Sequence, residues 1–314
     1  MADVVLAAVP TPFAADGSLD VACARRYFTF TGEHADGMLV AGTTGEFPAL
    51  DDDERLALFE IALDVAGPDR VIAHIGAPDS YRAARLAAAA VALGARRIAA
   101  ITPFYLAPTP AEVTDYYARI RAAAPAASLY AYIFPERTGV TVTPSQFCEL
   151  ADAVGLAGAK FSGAAARNVA ACAAERPALR IFSGDDSDLA ATLRGGGAGI
   201  ISGRTAAFPE LFAGLAAALA GDADAGAVGG DAGIGGYDGA GGGEDVIAAA
   251  AETAEARQAD VTAIAALGSG IGLVKEVLRV RGFGPMAARM PVGSPDEATA
   301  ARAAELVKSL GLTD

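Results

Sequence analysis

Lysine is scarce in this sequence, and one lysine occupies a position where it could act as a nucleophile. Only Lys160, Lys275 and Lys308 occur among the 314 residues. Lys160 lies in the segment 156–161, which otherwise contains only small and apolar residues. Poor solvation there favours the free amine, which attacks carbonyl carbons, although a lysine that reaches solvent or pairs with a carboxylate is the alternative. For Lys275 and Lys308, which lie in helical patterns, we expect an exposed, ion-paired state.

A second candidate is the turn 42–46, whose sequence could bind an anion. It reads Gly-Thr-Thr-Gly-Glu and follows a short apolar run. Its glycines let backbone N–H groups converge, while Thr43 and Thr44 add hydroxyl groups, so the turn could hold a carboxylate or a phosphate. The alternative is an ordinary turn that only brings Glu46 close to the next helix.

Tyrosines provide candidate proton carriers. Tyr130 and Tyr132 are two residues apart in an apolar run, so they share one face of a strand. Tyr105 ends the segment Thr-Pro-Phe-Tyr at 102–105. A phenol near an amine can relay protons, whereas the alternative is ordinary packing with one satisfied hydroxyl.

Short runs rich in valine, isoleucine and leucine recur along the first two thirds of the chain. Strands that are continuously apolar, separated by helical patterns, are typical of a parallel sheet covered on both faces. Eight such units within about 220 residues predict a (β/α)₈ barrel, with a doubly wound open sheet as the alternative. The candidate strands are 4–9, 37–41, 71–75, 97–102, 128–134, 156–161, 179–183 and 198–202.

The helical segments between the strands have readable starts, such as Thr109 and Thr143, each followed by proline. We therefore expect a catalytic barrel over 1–220. A glycine-rich flexible insertion is expected at 221–243 and a helical C-terminal extension at 244–314. The predicted helices are 21–30, 54–66, 81–93, 111–123 and 145–153, followed in the extension by 245–267, 271–281 and 295–310.

Charge and composition exclude several classes of protein. With 24 basic and 38 acidic residues the net charge is −14, which argues against binding to nucleic acid. Three widely spaced cysteines suggest neither a disulfide framework nor a zinc site, and two histidines are too few for a multi-histidine metal centre. The first residues lack the basic region of a signal peptide, and no apolar run reaches the length of a membrane span. We expect a cytoplasmic protein that contacts no membrane.

Taken in order, several motifs resemble the dihydrodipicolinate synthase and N-acetylneuraminate lyase family of pyruvate-dependent class I aldolases. Each motif alone is weak, but their shared order and the 28 positions between Tyr132 and Lys160 are specific. The motifs are Thr-Pro-Phe at 11–13, Gly-Thr-Thr-Gly-Glu at 42–46, Thr-Pro-Phe-Tyr at 102–105, Tyr132 with Pro135, Arg137, Thr138 and Gly139, Gly158 with Lys160, Ser-Gly-Asp-Asp at 183–186, and Gly-Gly-Ala-Gly-Ile-Ile-Ser at 196–202.

The resemblance implies a (β/α)₈ barrel with a C-terminal helical extension, usually in a tetramer built as a dimer of dimers. It implies that Lys160 forms a Schiff base with pyruvate, so that no metal or organic cofactor is needed. Tyr132, Thr43 and Tyr105 would form a proton relay to which the neighbouring subunit contributes Tyr105. Substrate-binding roles are implied for four further residues, namely Gly42, Thr44, Arg137 and Ile201, of which Arg137 matches the position that binds the carboxylate of aspartate semialdehyde.

Three departures from the family pattern leave the second substrate open. Ile133 and Phe161 stand where the family usually has polar residues, and 203–207 lacks the family's common asparagine. We predict a lyase or synthase that joins pyruvate to an aldehyde, most like 4-hydroxy-tetrahydrodipicolinate synthase. The alternatives are a 2-keto-3-deoxy sugar-acid aldolase or dehydratase, an N-acetylneuraminate lyase-like enzyme, and a paralogue that binds a keto acid without turnover. A barrel enzyme that binds phosphate at 195–199 is less favoured, since it leaves Lys160 unexplained.

Overall fold

Eight parallel strands close into a barrel in a computed structural model that describes residues 3–187, 189–227, 242–268 and 270–312. The strands follow one another around the barrel in chain order, and the first pairs with the last. This closure confirms the predicted (β/α)₈ barrel and excludes the open sheet. The strands are β1 (Val5–Ala8), β2 (Gly37–Val40), β3 (Val71–His74), β4 (Arg97–Ile101), β5 (Ser128–Ile133), β6 (Gly158–Phe161), β7 (Arg180–Ser183) and β8 (Gly199–Ser202).

Helices connect the strands and continue beyond the barrel. Each predicted helix is present, with bounds that differ by a few residues. Short helices that the sequence pattern did not predict follow β5, β6, β7 and β8, and the longer α10 was not predicted either. The helices are α1 (Val21–His34), α2 (Asp52–Ala66), α3 (Ser80–Ala92), α4 (Pro110–Ala123), α5 (Pro135–Thr138), α6 (Pro144–Val154), α7 (Val169–Glu175), α8 (Leu189–Arg194), α9 (Gly203–Ala207), α10 (Pro209–Ala227), α11 (Gly242–Ala266), α12 (Ile271–Val280) and α13 (Glu297–Ser309).

The barrel strands are buried on both faces, which explains why they are apolar without alternation. One set of side chains fills the barrel interior, and the alternate set packs against the surrounding helices. Tyr130 and Tyr132 both belong to the interior set, as their spacing predicts. The lower interior cluster consists of Leu6, Ala8, Leu39, Ile72, Ala99, Tyr130, Phe182 and Ile201.

Three helices begin with a capping box, in which the residue before the helix and the third helical residue bond to each other's backbone N–H. Asp51 pairs in this way with Glu54, Thr109 with Glu112, and Thr143 with Gln146. These bonds satisfy donors that the first turn of a helix leaves free. The two threonine–proline starts predicted from the sequence are therefore confirmed.

The C-terminal extension returns to the end of the barrel where β1 and β2 finish. The Ala287 backbone N–H donates to the Phe13 carbonyl oxygen at 3.0 Å, and the two residues form an isolated antiparallel bridge. The Arg289 guanidinium donates to the carbonyl oxygens of Gly17 and Ala49 and to the Glu54 carboxylate. Residues 287–289 therefore attach the extension beside the loops that follow the first two strands.

The helix α10 extends past the expected boundary at residue 221 and continues to Ala227. Alanine and aspartate dominate 222–227, so the glycine-rich composition begins only at the end of this helix. Residues 228–241, which contain most of the predicted insertion, lie outside the described residues. From Gly242 onward the helical pattern returns as α11.

Within the described ranges, no single helix is long and apolar enough to cross a membrane. One helix pair, Glu252–Ala266 and Ile271–Val280, meets the criteria of length and composition only when both are taken together, and it is bent by 116°. In the second of these helices Val274, Val277 and Leu278 are buried in the main hydrophobic core. That helix therefore packs as part of the protein interior.

Candidate active site

Lys160 and Tyr132 are neighbours on adjacent strands at the C-terminal end of the barrel. The register of β5 and β6 places the two residues opposite each other. The Lys160 Nζ atom lies 4.6 Å from the centroid of the Tyr132 ring. Lys160 is 7% exposed and Tyr132 2%, so the amine is largely removed from water. Catalytic groups of barrel enzymes lie at this end of the strands.

The Tyr132 hydroxyl reaches across the barrel to the turn after β2. It lies 3.2 Å from Thr43 Oγ1, and either group can be the donor. A chain of contacts therefore leads from the Lys160 amine over the Tyr132 ring to Thr43. The structure thus brings three of the predicted site residues together.

The turn 42–46 is held in one conformation by its glycines and by bonds from outside. Ala41 and Glu46 have positive φ angles of 52° and 54°, which non-glycine residues adopt rarely. A Cβ atom on Gly45 would lie 3.0 Å from Ala41 Cα, so a larger residue would have to displace the neighbouring backbone. The Thr11 hydroxyl donates to the Gly45 carbonyl oxygen at 2.6 Å. The turn is therefore a rigid platform for the hydroxyls of Thr43 and Thr44.

Two adjoining cavities open beside the turn 42–46, and neither is lined by Lys160 or Tyr132. One, of about 400 Å³, has a wall formed by the C-terminal extension through Ile271 and 290–292. The other, of about 230 Å³, is lined by Thr44, Asp186 and Arg204, among others. Thr43 and Arg137 line both cavities. The entrance to the site, here called the mouth, is therefore formed both by barrel loops and by the C-terminal extension. No site residue in the extension was predicted from the sequence.

The remaining predicted residues occupy different places. Arg137 is exposed on α5, with its guanidinium 5.7 Å from the Phe134 ring centroid. Gly42 is the first residue of the turn, where an added Cβ would approach Leu39 Cδ2 to 3.2 Å. Ile201 is buried inside the barrel and does not line either cavity.

Tyr105 is a second predicted site residue that lies on the surface of this chain, besides Arg137. It is 94% exposed and has a φ of 82°, an unusual value for a tyrosine. Leu106 and Tyr81 are exposed beside it and line the same shallow cavity. Among the described residues its hydroxyl has no hydrogen-bond partner, so a single copy of the chain does not bring Tyr105 to Tyr132.

His74, to which the sequence analysis gave no role, supports the site from below. Its ring lies 6.0 Å from the Tyr132 ring and 4.7 Å from the Phe47 ring, centroid to centroid. Nδ1 lies 2.8 Å from the Ala41 carbonyl oxygen, and Nε2 accepts from the Ile101 N–H at 3.2 Å, so the proton is on Nδ1. Complete burial, with help from the nearby cation Arg55, holds the pKa of His74 well below its ordinary value. The neutral ring therefore links the turn after β2 to β4.

The expectation of an exposed Lys275 is wrong. Lys275 is 3% exposed and forms an ion pair with Glu46, which is fully buried. The helical pattern could not reveal this pair, since Glu46 is more than 200 residues away. Burial lowers the pKa of Lys275, and the bond from Glu46 opposes that shift. The partner of Lys275 is thus the glutamate of the candidate anion-binding turn.

A second buried ion pair joins the ends of β7 and β8. Arg204 Nη2 lies 2.5 Å from Asp186 Oδ1, and the Ser202 hydroxyl donates to the other carboxylate oxygen. Burial raises the pKa of Asp186, while Arg204 opposes the shift.

In the described part of the chain, no group of three or more histidine, cysteine, aspartate or glutamate side chains is arranged to hold a metal ion.

The closed barrel and the buried amine at its C-terminal end define the class of this protein, a (β/α)₈ barrel with a buried lysine at the C-terminal ends of its strands. The model of the dihydrodipicolinate synthetase family matches residues 1–228, and the chain belongs to that family. This match confirms the resemblance inferred from the motifs.

Curated relatives agree with the family. The chain is 34% identical over 222 residues to a 4-hydroxy-tetrahydrodipicolinate synthase from Synechococcus sp. strain CC9605, covering 69% of this chain and 74% of that protein. It is 35% identical over 227 residues to a protein of the same name from Acidothermus cellulolyticus, covering 70% and 72%.

Several solved structures share the fold of this protein over nearly the whole chain. A dihydrodipicolinate synthase from Aquifex aeolicus matches with a TM-score of 0.81 at 22% identity, covering 99% of this chain and 98% of that one. A sialic acid aldolase from Ruminococcus gnavus matches with the same score, identity and coverage. A prophage protein of the dihydrodipicolinic acid synthase family from E. coli K12, in complex with pyruvate, also has a TM-score of 0.81 at 22% identity, covering 99% of both chains.

Proposed function

We propose that the protein is a pyruvate-dependent class I lyase that condenses pyruvate with aspartate semialdehyde, as 4-hydroxy-tetrahydrodipicolinate synthases do. The observation that carries this proposal is the buried Lys160 amine beside Tyr132, whose hydroxyl contacts Thr43. Family membership supports the class of enzyme, and the names of the curated relatives support the reaction.

In the proposed reaction Lys160 Nζ attacks the keto carbon of pyruvate, and the resulting carbinolamine loses water to form an iminium ion. The positive nitrogen withdraws electrons, so the methyl group can lose a proton and become an enamine. The enamine carbon bonds to the aldehyde carbon, whose oxygen takes up a proton, and an iminium ion forms again. The amino group of the aspartate semialdehyde part then adds to the iminium carbon, and the resulting adduct expels the Lys160 amine. No metal or organic cofactor is needed, because the protonated imine is itself the electron sink.

The other residues bind substrate or move protons. Tyr132 and Thr43 carry protons to and from the carbinolamine, while Thr43, Thr44 and the backbone at Gly42 hold the pyruvate carboxylate. Arg137 binds the carboxylate of the aldehyde, for which a planar guanidinium is well suited. Ile201 contacts the substrate from within the barrel; the support for this role is its place in the family motif at 196–202.

The proton relay also requires a second copy of the chain. We propose a homo-oligomer, a dimer or a dimer of dimers, in which Tyr105 reaches the site of a neighbouring copy. Support comes from its exposure together with that of Leu106 and Tyr81, since a cluster of exposed apolar side chains marks an interaction surface.

Borohydride reduction in the presence of pyruvate, followed by peptide mass mapping, tests the proposal. We expect a reduced pyruvyl adduct on the Lys160 peptide, no adduct in Lys160→Ala, and a normal adduct in the control Lys308→Ala, which alters an exposed lysine on α13. An unmodified Lys160 peptide, under conditions that trap a known aldolase of this type, overturns the central claim and favours a keto-acid-binding paralogue.

A second candidate is a reaction on a sugar acid. A 2-keto-3-deoxy sugar-acid aldolase or an N-acetylneuraminate lyase-like enzyme would cleave it to pyruvate and an aldehyde, and a related dehydratase would remove water from it. The apolar residues Ile133 and Phe161, at positions next to Tyr132 and Lys160, depart from the family pattern and leave this candidate open, although both side chains are buried in the main core. Assays of pyruvate release from sugar acids, run beside condensation with aspartate semialdehyde, separate the two. An Arg137→Gln variant should raise KM for aspartate semialdehyde and leave pyruvate trapping unchanged.

A further inference from the structure

The buried carboxylate of Glu46 lies at the junction between the turn 42–46 and the C-terminal extension. One of its oxygens accepts the backbone N–H groups of Arg289 and Met290, at 2.9 and 2.7 Å. The other pairs with the Lys275 ammonium. Glu46 itself is fully buried. A buried carboxylate is tolerated only when such partners replace the water it has lost.

Lys275 is equally enclosed, and the proposed chemistry does not use it. Its ammonium donates to the Ala287 carbonyl oxygen at 2.6 Å and lies 4.7 Å from the centroid of the Phe13 ring. It therefore holds four separate pieces of the chain together: α12, the returning segment at 287, the segment after β1, and the turn 42–46. Its charge is matched by Glu46, so neither residue can be removed without leaving the other charge buried.

The same glutamate fixes the backbone that presents Thr43 and Thr44. The Glu46 N–H donates to the Thr43 carbonyl oxygen at 3.0 Å, which closes the turn. On the other side, Met290 begins the segment 290–292 that lines the larger mouth cavity. Any shift of the Glu46 carboxylate therefore moves both the hydroxyl-bearing turn and one wall of the mouth.

We propose that Glu46 and Lys275 are positioning residues of the active site, whose ion pair fixes the turn 42–46 against the extension and so sets the affinity for the pyruvate carboxylate. This inference rests on the proposed function. The pair touches no reacting atom, and it acts by holding Thr43 and Thr44 in place before the substrate binds, which lowers the cost of ordering the site.

Three variants test the pair: Glu46→Gln, Lys275→Met, and the double variant, which removes both buried charges together. We expect KM for pyruvate to rise about tenfold in all three, equivalent to about 1.4 kcal/mol of binding free energy. At saturating pyruvate kcat should also fall, because Thr43 belongs to the proposed proton relay, but by a smaller factor than the rise in KM. The double variant should regain thermal stability relative to the single variants, because it leaves no uncompensated charge.

A matched pair elsewhere in the chain separates positioning from loss of stability. Arg281 and Glu210 form another ion pair that anchors the end of α12, and Arg281 also donates to the Ala207 carbonyl oxygen. Glu210→Gln and Arg281→Met should lower Tm without raising KM for pyruvate. Hydrogen exchange of the backbone amides at 42–47 should accelerate in the Glu46 and Lys275 variants and stay unchanged in these controls.

The outcomes distinguish the two proposals. If the wild-type protein forms the borohydride-trapped adduct while KM and amide exchange at 42–47 are unaltered in the double variant, the positioning role is overturned and the proposed function stands. If the wild-type protein forms no adduct, the proposed function fails and the positioning role falls with it. A rise in KM in the Glu210 and Arg281 controls as large as that in the pair variants also overturns the inference.

Discussion

Tyr132 has two separable contributions at the site: a ring beside the Lys160 amine and a hydroxyl that contacts Thr43. Tyr132→Phe removes only the second. We expect kcat to fall by roughly 10²–10⁴-fold, the usual contribution of a positioned acid–base group. Binding of pyruvate should be largely intact, and borohydride should still trap the adduct, although more slowly.

Tyr130→Phe is the matched control for this prediction. Tyr130 precedes Tyr132 by two residues on β5 and is also buried inside the barrel, in the lower cluster. Loss of its hydroxyl should leave kcat within about threefold of the wild type, because a residue away from the reacting atoms adds no acid–base catalysis. Equal losses in the two variants would contradict the role proposed for Tyr132.

His74 is a neutral imidazole inside the protein, and its effect on stability depends on pH. Its pKa in the folded state is held well below 6.5 by burial, so below about pH 6.5 the unfolded chain binds a proton that the folded chain does not. The free energy of unfolding should therefore decrease as pH falls below this value, by up to about 1.4 kcal/mol per pH unit from this residue.

Urea unfolding at pH 5, 6 and 7 measures this contribution. His74→Gln should flatten the loss of stability toward acid pH, whatever its effect at pH 7. His34→Gln, which removes the other histidine from a half-buried position on α1, is the control and should keep more of the wild-type slope. Identical slopes in wild type and His74→Gln would refute the assignment of a buried neutral ring.

At the scale of elements, the ends of β7 and β8 depend on the ion pair between Asp186 and Arg204. Arg204→Met leaves the Asp186 carboxylate buried without its cation and should destabilise the fold by about 3 kcal/mol at neutral pH. Burial already raises the pKa of Asp186, and loss of the guanidinium raises it further. The destabilisation should therefore shrink as the pH falls and Asp186 takes up a proton.

Thermal or urea unfolding of Arg204→Met between pH 4.5 and 7.5 checks this prediction. The double variant Arg204→Met with Asp186→Asn carries no buried charge and should recover part of the stability at pH 7. A loss for Arg204→Met that is independent of pH would contradict the proposed cause.

The elements also determine which local predictions succeed. The helix starts at Thr109 and Thr143 could be predicted because a cap and its partner are three residues apart and bond directly. The short helix α9 could not be predicted in this way, since its cap Ser202 also ends a strand and bonds to Asp186. A short sequence pattern therefore predicts a helix start when the residues that stabilise this start bond only to each other.

The whole molecule carries a net charge of −14, and its acidic groups repel one another in the folded state. Raising the ionic strength from about 0.01 M to 0.15 M shortens the screening length from about 30 Å to about 8 Å and weakens that repulsion. We expect Tm to rise over this range at pH 8. Near pH 5, close to the isoelectric point of about 4.6, the rise should be much smaller.

Differential scanning calorimetry at the two pH values and several sodium chloride concentrations provides the test. Sucrose at matched osmolality is the control for effects that do not depend on charge. An equal rise in Tm at pH 5 and pH 8 would show that screening of net charge is not the cause.

The sequence by itself determined the barrel. Strand–helix alternation and continuously apolar strands can be read locally, and both indicate a parallel sheet covered by helices, which eight such units can close into a barrel. It also singled out Lys160 and Tyr132 at strand ends, since position along a strand is local information. Membership of the family was likewise readable from the order of the motifs, and the family match confirms it.

Only the tertiary structure decided which distant residues meet. It paired Glu46 with Lys275 and Asp186 with Arg204, and it made the extension a wall of the mouth. It also left Tyr105 on the surface of the single chain. The physical reason is that a buried charge is stable only beside a partner, and that partner can come from any segment the fold brings near.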